Sequence, residues 1–280
     1  MNDTARSMSV RAKANNLAKR LGIAPQAALQ AWFAERFLVR VSMSGHADRI
    51  VVKGGTLMAA LFGLAERTTM DIDATVLDTR GDEATLREIL AEICAVDAGD
   101  GIGFALGPGE AIRKDDEYGG VGFSLVATLG TIRLPFGVDM TVGDAIVPGP
   151  EHLDGVGMFG EGDRIRLWAY PTETLLAEKL QTILKRGELT TRPRDFYDIH
   201  KIVSSGRYRP DVIRRAVMAT FERRDSLALL PRKQAILDAV AQSPAISGIW
   251  QKYRKQFSYA RDLPLEAVVS SVRELLALLD

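Results

Sequence analysis

Residues 50–56 read Ile-Val-Val-Lys-Gly-Gly-Thr, and residues 70–73 read Met-Asp-Ile-Asp. The β-branched run at 50–52 predicts a short strand, which the Gly54-Gly55 pair ends because tight turns favour glycine. Residues 56–62 then resume a helical pattern, and residues 70–77 alternate like a strand with one polar face. We therefore predict a strand, a glycine turn, a helix and a second strand.

Upstream of this stretch, residues 9–44 have the apolar spacing of two helices. These helices should form a packing layer. The apolar residues at helical spacing are Leu17, Leu21, Ala28, Leu29, Trp32, Phe33 and Phe37.

The middle of the chain supplies further strands. After a helix at 82–96, we expect a short strand at 102–106, strands at 121–128 and 131–141 joined by a hairpin turn at Leu129-Gly130, and a last strand at 164–168. The connection 143–162 is rich in glycine and is predicted to be mostly irregular.

Almost everything after Pro171 is predicted to be helical. Pro171-Thr172-Glu173 is a favourable helix start, because proline suits the first turn and an acid complements the positive end of the helix dipole. Further helices are expected at 193–204, 211–222, 232–241, 246–257 and 265–279. The predicted fold class is α+β, with a mixed sheet and N-terminal helices in residues 1–170 and a helical domain in residues 171–280.

Composition limits the classes of protein. A chain of 280 residues that is 46% hydrophobic can bury a substantial core. No stretch has the roughly 18 to 20 apolar residues that span a bilayer, and the N-terminus lacks a signal-type apolar core, so we expect a soluble, cytoplasmic protein. With one cysteine, Cys94, and three histidines, neither an internal disulfide nor a Cys/His zinc cluster is expected. Any metal should be a hard cation bound by oxygen ligands.

Charge is unevenly distributed although the formal net charge is zero. Residues 71–100 contain nine acids against Arg80 and Arg87, whereas residues 179–224 contain twelve bases against five acids. The acidic residues could bind a metal ion, and the basic residues could bind phosphate groups. Ordinary solvated helix faces would give the same counts.

Two carboxylates carry the predicted chemistry. Asp71 and Asp73 are two residues apart on a predicted strand, so both should project from the same face. Paired carboxylates suit Mg²⁺ or Mn²⁺, and a two-metal centre usually takes a third acid. Asp139, in the alternating strand at 136–140, is the best candidate for that acid, and Asp144 is a weaker one.

The glycine pair precedes a predicted helix, where free backbone amides and the helix dipole attract phosphate. Thr56 would add a hydroxyl donor. A Gly-Gly-Thr sequence alone is usually only a turn, and an isolated Asp-x-Asp is equally common, but the order strand, Gly-Gly, helix, strand is much more specific. The nucleotide phosphates are therefore expected at Gly54, Gly55 and Thr56, and Lys53 and Arg67 are further candidate contacts.

At these residues the chain resembles the AbiEii/MenT-like nucleotidyltransferase toxins, which belong to the DNA polymerase β-like superfamily. The motifs that carry the resemblance are Val52–Leu57, Arg67–Asp73, Lys179-Leu180 and Arg192–Ile199. Gly55-Thr56 replaces the Gly-Ser of the wider superfamily, and threonine keeps the hydroxyl.

The resemblance implies a role for four residues. It assigns Asp71 and Asp73 to metal, Lys179 to the nucleotide phosphates and Asp195 to an essential position in the active site. Lys179 and Asp195 would be supplied by the helical domain across a cleft from the sheet. A polymerase-β-like sheet and a nucleoside triphosphate substrate are implied as well.

Each of these residues also has a structural interpretation. Lys179 could be a solvated charge, Asp195 could cap a helix, and Asp198 could pair with Arg194 or Lys201. Arg67 could contact phosphate or pair with Glu66. Tyr197 and Trp168 are expected in the core, although an aromatic side chain near the nucleotide could stack on its base.

The function implied is that of a toxin in a toxin–antitoxin or phage-defence pair, with a cognate antitoxin as a further partner. The acceptor in MenT-like members is the 3′ end of tRNA, and the basic residues 179–224 are compatible with such an acceptor. Two alternatives remain open from the sequence. One is nucleotide transfer to a small molecule, and the other is a nucleotide-binding regulator without transfer activity.

Overall fold

The computed structural model describes residues 3–112, 119–156, 158–159 and 164–280. The chain divides into two compact units. The sheet unit comprises the described residues up to Asp144 together with Glu151–Ala169, and the helical unit comprises Ala145–Pro150 and Tyr170–Asp280.

The sheet unit begins with α1 (Asp3–Leu21) and α2 (Pro25–Met43). Their apolar side chains form the predicted packing layer, in which Trp32, Phe33 and Phe37 are almost fully buried. Arg40 on α2 is also buried, and its guanidinium binds both carboxylate oxygens of Asp100, at 2.7 and 3.0 Å. This buried ion pair ties the helical layer to the segment that precedes the third strand.

The sheet has seven strands: β1 (Ile50–Lys53), β2 (Ile72–Val76), β3 (Gly103–Ile112), β4 (Gly120–Leu129), β5 (Ile132–Val142), β6 (Glu151–Val156) and β7 (Arg164–Ala169). Their order is β3-β4-β5-β2-β1-β7-β6. β2 pairs with β5 and β1 with β7 in parallel, while the other neighbours are antiparallel. The prediction of a mixed sheet in an α+β fold is confirmed.

Two helices connect strands of the sheet: α3 (Gly54–Phe62) follows β1, and α4 (Glu83–Cys94) follows β2. Asp82 caps α4, since its carboxylate accepts the amide hydrogen of Thr85 at 2.9 Å. Two central strands carry predicted acids, Asp73 on β2 and Asp139 on β5, and the apolar residues of the neighbouring β1 are buried. A rigid, covered centre of the sheet therefore positions these side chains.

Three details of the predicted strands were wrong. The connection 143–162 contains β6, an edge strand paired with β7, whose polar residues and glycine hid the pattern. β3 runs to Ile112, past a register shift between Leu106 and Gly109 that accommodates Pro108. The hairpin turn is Gly130-Thr131, one residue later than predicted, with Leu129 paired to Ile132.

The helical unit contains α5 (Thr172–Arg186), α6 (Pro193–Ser205), α7 (Pro210–Arg223), α8 (Lys233–Gln242), α9 (Pro244–Gln256) and α10 (Leu265–Ala277). Short 3-10 helices lie at Gly187–Leu189, Leu227–Arg232 and Ser258–Ala260. Proline occupies the first turn of α6, α7 and α9, as expected for helix starts. Among the described residues, no helix is long and apolar enough to cross a membrane.

Candidate active site

The glycine turn between β1 and α3 is built around a carboxylate. Gly54 has φ of +58°, a conformation that favours glycine. A Cβ atom at Gly54 would lie 2.2 Å from Oδ2 of Asp73, and the Gly55 amide donates to that same oxygen at 2.9 Å. The first turn of α3 thus holds Asp73 in place, and only glycine at position 54 leaves room for it.

The backbone of Asp71 is held by two hydroxyl groups. Thr56 on α3 donates from Oγ1 to the Asp71 carbonyl at 3.0 Å, and Thr69 donates to the same carbonyl at 3.1 Å. Thr56, predicted as a phosphate donor, is therefore an anchor of the Asp71 segment in this structure. These bonds fix where the first carboxylate leaves the backbone.

Asp73 and Asp139 are direct register partners on the parallel strands β2 and β5. Their side chains project from the same face of the sheet, and neighbouring strands lie roughly 4.8 Å apart. Asp71 lies one residue before β2, where its Oδ1 accepts the Gly137 amide hydrogen at 3.2 Å. The structure therefore places all three predicted metal ligands along the β2–β5 pair.

Two strand glycines make room for these carboxylates. A Cβ at Gly122 would approach Oδ1 of Asp139 to 2.8 Å, and a Cβ at Gly137 would approach Oδ1 of Asp71 to 2.7 Å. Neither glycine was singled out from the sequence. The available signal was a glycine inside an otherwise alternating strand, which often marks a close approach of another group.

The donor set of this site consists of carboxylate oxygens, which suit a hard divalent cation. In the described ranges, no group of three or more His, Cys, Asp or Glu side chains is arranged to hold a metal ion. Mg²⁺ is usually bound by one or two carboxylates together with water and substrate phosphates rather than by a complete protein cage. The neighbouring carboxylates of Asp73 and Asp139 match that requirement.

Lys53 lies at the end of β1, in register with Asp73. Its ammonium group donates to Oδ2 of Asp144 at 2.5 Å and to the Thr141 hydroxyl at 2.6 Å, and Thr75 donates to the same Asp144 oxygen at 2.7 Å. The side chains of Lys53 and Asp144 are 5% and 8% exposed, so this is a buried ion pair. Asp144, the weaker candidate for the third acid, acts here as the counter-ion of Lys53.

Arg67 is brought next to the glycine turn. Its side chain is buried, and a Cβ at Gly55 would lie 3.4 Å from its Nη2 atom. The guanidinium also donates to the Thr68 carbonyl at 2.5 Å. A positive charge is thereby kept beside the backbone amides at the start of α3.

A second cluster lies within the helical unit, between α5 and α6. Lys179 donates to Oδ2 of Asp198 at 2.5 Å and to Oδ1 of Asp195 at 3.3 Å. Arg192 adds a bond from Nε to Asp195 at 2.7 Å. Lys179, Asp195 and Asp198 are all buried. The alternative that Lys179 is a solvated surface charge is therefore wrong.

Asp195 occupies the first turn of α6, where its charge complements the helix dipole. Asp198, ranked below Asp195 from the sequence, is as deeply buried and closer to Lys179. Tyr197 is in the core as predicted, whereas Trp168 is half-buried and stacks on His152 with ring centroids 3.8 Å apart.

A mixed sheet that carries paired carboxylates beside a glycine turn and helix start is the arrangement of a nucleotidyltransferase. The family model "Nucleotidyl transferase AbiEii toxin, Type IV TA system" matches residues 36–277. The chain therefore belongs to the AbiEii nucleotidyltransferase toxin family of type IV toxin–antitoxin systems, and it is a nucleotidyltransferase.

Solved structures agree with this fold. The crystal structure of JHP933 from Helicobacter pylori superposes with a TM-score of 0.52 at 14% sequence identity, covering 91% of this chain and 92% of that one. A second H. pylori structure, described as a candidate nucleotidyltransferase, has a TM-score of 0.52 at 14% identity and covers 92% of this chain and 96% of its own. At this identity the likeness concerns the fold alone. No curated protein matches the sequence significantly.

Proposed function

We propose that the protein transfers a nucleotide from a nucleoside triphosphate to the 3′ end of an RNA, with tRNA as the expected acceptor, in a reaction that depends on a divalent metal. The observation that carries this proposal is the pairing of Asp73 with Asp139 beside the Gly54-Gly55 turn. Two adjacent carboxylates suit a cation, and the positive end of the α3 dipole suits the phosphates that the cation binds.

The reaction is a substitution at the α-phosphorus of the nucleotide. The acceptor hydroxyl oxygen forms a bond to that phosphorus, and the bond to the bridging oxygen of the β-phosphate breaks. Pyrophosphate leaves, and the hydroxyl proton passes to solvent. The task of the protein is to align the two substrates and stabilise charge on the phosphate oxygens.

Asp73 and Asp139 are the pair that would hold the metal, and Asp71, one residue before β2, is the third acid of the predicted set. When bound, Mg²⁺ or Mn²⁺ would supply positive charge to the attacking and leaving oxygens. The Gly55 amide orients the Asp73 carboxylate, and the Gly137 amide orients that of Asp71. Arg67 adds positive charge beside the glycine turn, whereas the charge of Lys53 is balanced by Asp144.

Lys179 is proposed to bind the phosphates of the nucleotide. Its ammonium group is a compact charge held by Asp195 and Asp198, so its position is set before any substrate arrives. Buried clusters of this kind often mark functional sites, because a purely structural ion pair gains little over apolar packing.

The RNA acceptor is proposed from the basic surplus of residues 179–224. Some of these bases have internal partners: Arg192 binds Asp195, Arg209 binds Glu173, and Arg224 binds Glu178. On α7, Arg214 and Arg215 are exposed. These two are therefore the best candidates for contacts with RNA phosphates.

The proposal is tested by incubating total RNA and a small-molecule extract with each of the four α-labelled nucleoside triphosphates and Mg²⁺. Label in the RNA fraction, with release of pyrophosphate, is the expected result. Label confined to small molecules would support the small-acceptor alternative, and no label in any fraction would contradict transfer altogether. An Asp73→Asn preparation serves as the control for contaminating polymerases.

A further inference from the structure

The end of α9 and the 3-10 helix after it combine positive charge with aromatic rings. Residues 252–261 contain four basic residues and no acid, interleaved with three aromatic residues. This combination is typical of surfaces that bind single-stranded nucleic acid, where cations follow the backbone and rings stack on the bases. The segment lies outside the basic stretch identified from the sequence.

The rings of this segment form an ordered stack. Phe257 and Tyr259 have ring centroids 5.3 Å apart and an interplanar angle of 24°, and Tyr259 lies 4.7 Å from Tyr197. The hydroxyl groups of Tyr253 and Tyr259 are hydrogen-bonded at 3.1 Å. Tyr197 and Tyr253 are buried, whereas Phe257 and Tyr259 remain half-buried. Phe257 and Tyr259 thus pack against two buried tyrosines, while part of the surface of each ring stays accessible.

Positive charge borders these rings. The guanidinium of Arg194 lies over the Phe257 ring, 5.4 Å from its centroid, and Arg194 is exposed. Lys252, Lys255 and Arg261 are exposed as well. Arg194 directly precedes Asp195, so the stack lies beside the Lys179 cluster within the helical unit.

We propose that Arg194, Phe257 and Tyr259 form a stacking site for a nucleobase in the single-stranded 3′ end of the RNA acceptor. This inference rests on the proposed function and deepens it, because it states that the acceptor is recognised through an unpaired end. An RNA strand fits better than a protein partner, since the exposed Arg194 lies over the partly exposed Phe257 ring and residues 252–261 carry four cations and no acid.

The test uses two RNA hairpins with the same stem, one blunt and one with a single-stranded 3′ overhang of about four nucleotides. Binding is measured by fluorescence anisotropy without nucleotide, on the whole protein. The wild type should prefer the overhang hairpin. Phe257→Leu and Tyr259→Leu should each weaken overhang binding about fivefold, the lower end of the effect of losing one stacked base, and leave blunt binding unchanged.

Two controls separate stacking from folding. Tyr208→Leu changes another half-buried tyrosine of the helical unit and should keep the preference for the overhang. Arg194→Gln changes an exposed side chain, so the fold should persist, while overhang affinity and its dependence on salt both decrease. Arg232→Gln, at another exposed base of this unit, should change neither.

Either of two results would overturn the stacking site. The first is equal wild-type affinity for both hairpins, and the second is an unchanged overhang preference in both leucine variants. If the wild type binds the overhang but labels no RNA, the proposed transfer fails while the stacking site stands. If the wild type labels RNA and the leucine variants bind and label equally well, only the stacking site fails.

Discussion

Asp73 and Asp139 are register partners on the parallel strands β2 and β5, and the amide of Gly55 holds the first of these carboxylates at 2.9 Å. The pairing brings together residues from distant parts of the chain, in the middle of a sheet that is covered by packing. The carboxylates therefore keep their spacing with little help from a ligand, which is the preorganisation that phosphoryl transfer requires.

Gly54→Ala should reduce both stability and transfer. The alanine would take a positive φ, which costs about 1 to 2 kcal/mol, and its Cβ would lie 2.2 Å from Oδ2 of Asp73. Gly22→Ala is the matched control, because Gly22 also has a positive φ but has nothing within 4 Å of its Cβ position. Urea unfolding should show a larger loss for Gly54→Ala, and only that variant should lose transfer. Equal behaviour of the two variants would refute the close approach to Asp73.

Lys179→Met should destabilise the protein by about 3 to 5 kcal/mol, because it leaves the Asp195 and Asp198 carboxylates buried without the lysine charge. Adding Asp198→Asn should restore much of that stability, since one buried charge is removed. Transfer should remain absent in the double variant if Lys179 serves the nucleotide. Recovery of transfer together with stability would mean that Lys179 is only structural. Unfolding and transfer are measured on all four members of the cycle.

Stability should depend on pH through Glu173. Burial alone would raise the pKa of this carboxyl, but hydrogen bonds from Arg209 outweigh that effect, so the pKa in the folded protein lies below the ordinary value of 4.5. Glu173 therefore contributes stability above pH 4.5, and this contribution is lost as the pH falls through the lowered pKa. Arg209→Gln should flatten this part of the curve of unfolding free energy against pH. An unchanged curve would contradict the assignment.

Reversing Arg214 and Arg215 to glutamate should weaken RNA binding and reduce its salt dependence, by about one unit of slope for each RNA phosphate that the protein no longer neutralises. The paired reversal of Lys19 and Arg20, two exposed bases on α1, is the charge-matched control. Nucleotide binding should survive both changes. If the two double variants lower the RNA affinity equally, the effect is one of general charge and not of a binding site on α7.

Local patterns predicted much of this structure. The strand, glycine turn, helix and strand around Gly54 were readable because each element has its own period and the turn has its own residue type. For Asp73 and Asp139, the sequence predicted only that their strands are neighbours, and not that the two residues pair in register. The Lys53–Asp144 ion pair joins residues 91 positions apart and left no local trace. β6 was not predicted, because an edge strand needs no continuous apolar face.

The roles of Gly122 and Gly137 could not be predicted from the sequence for a different reason. Their role depends on which carboxylate lies opposite them in three dimensions, and a glycine in a strand does not by itself reveal that partner. Lys179 and Asp195 were expected at the active site through family resemblance, whereas their burial in one cluster, with Asp198 as the carboxylate closest to Lys179, depends on the packed helices α5 and α6.

The central claim is that Asp73 and Asp139 together hold the metal for nucleotide transfer. It is tested most directly by measuring labelled nucleotide incorporated into RNA across a Mg²⁺ titration for the wild type, Asp73→Asn, Asp139→Asn and Glu88→Gln, an exposed acid on α4. We predict a loss of at least about a hundredfold in the two asparagine variants at every Mg²⁺ concentration, with unfolding temperatures unchanged or slightly higher, and wild-type behaviour for Glu88→Gln. Transfer at near the wild-type rate, with the wild-type Mg²⁺ dependence, in either asparagine variant would contradict the claim.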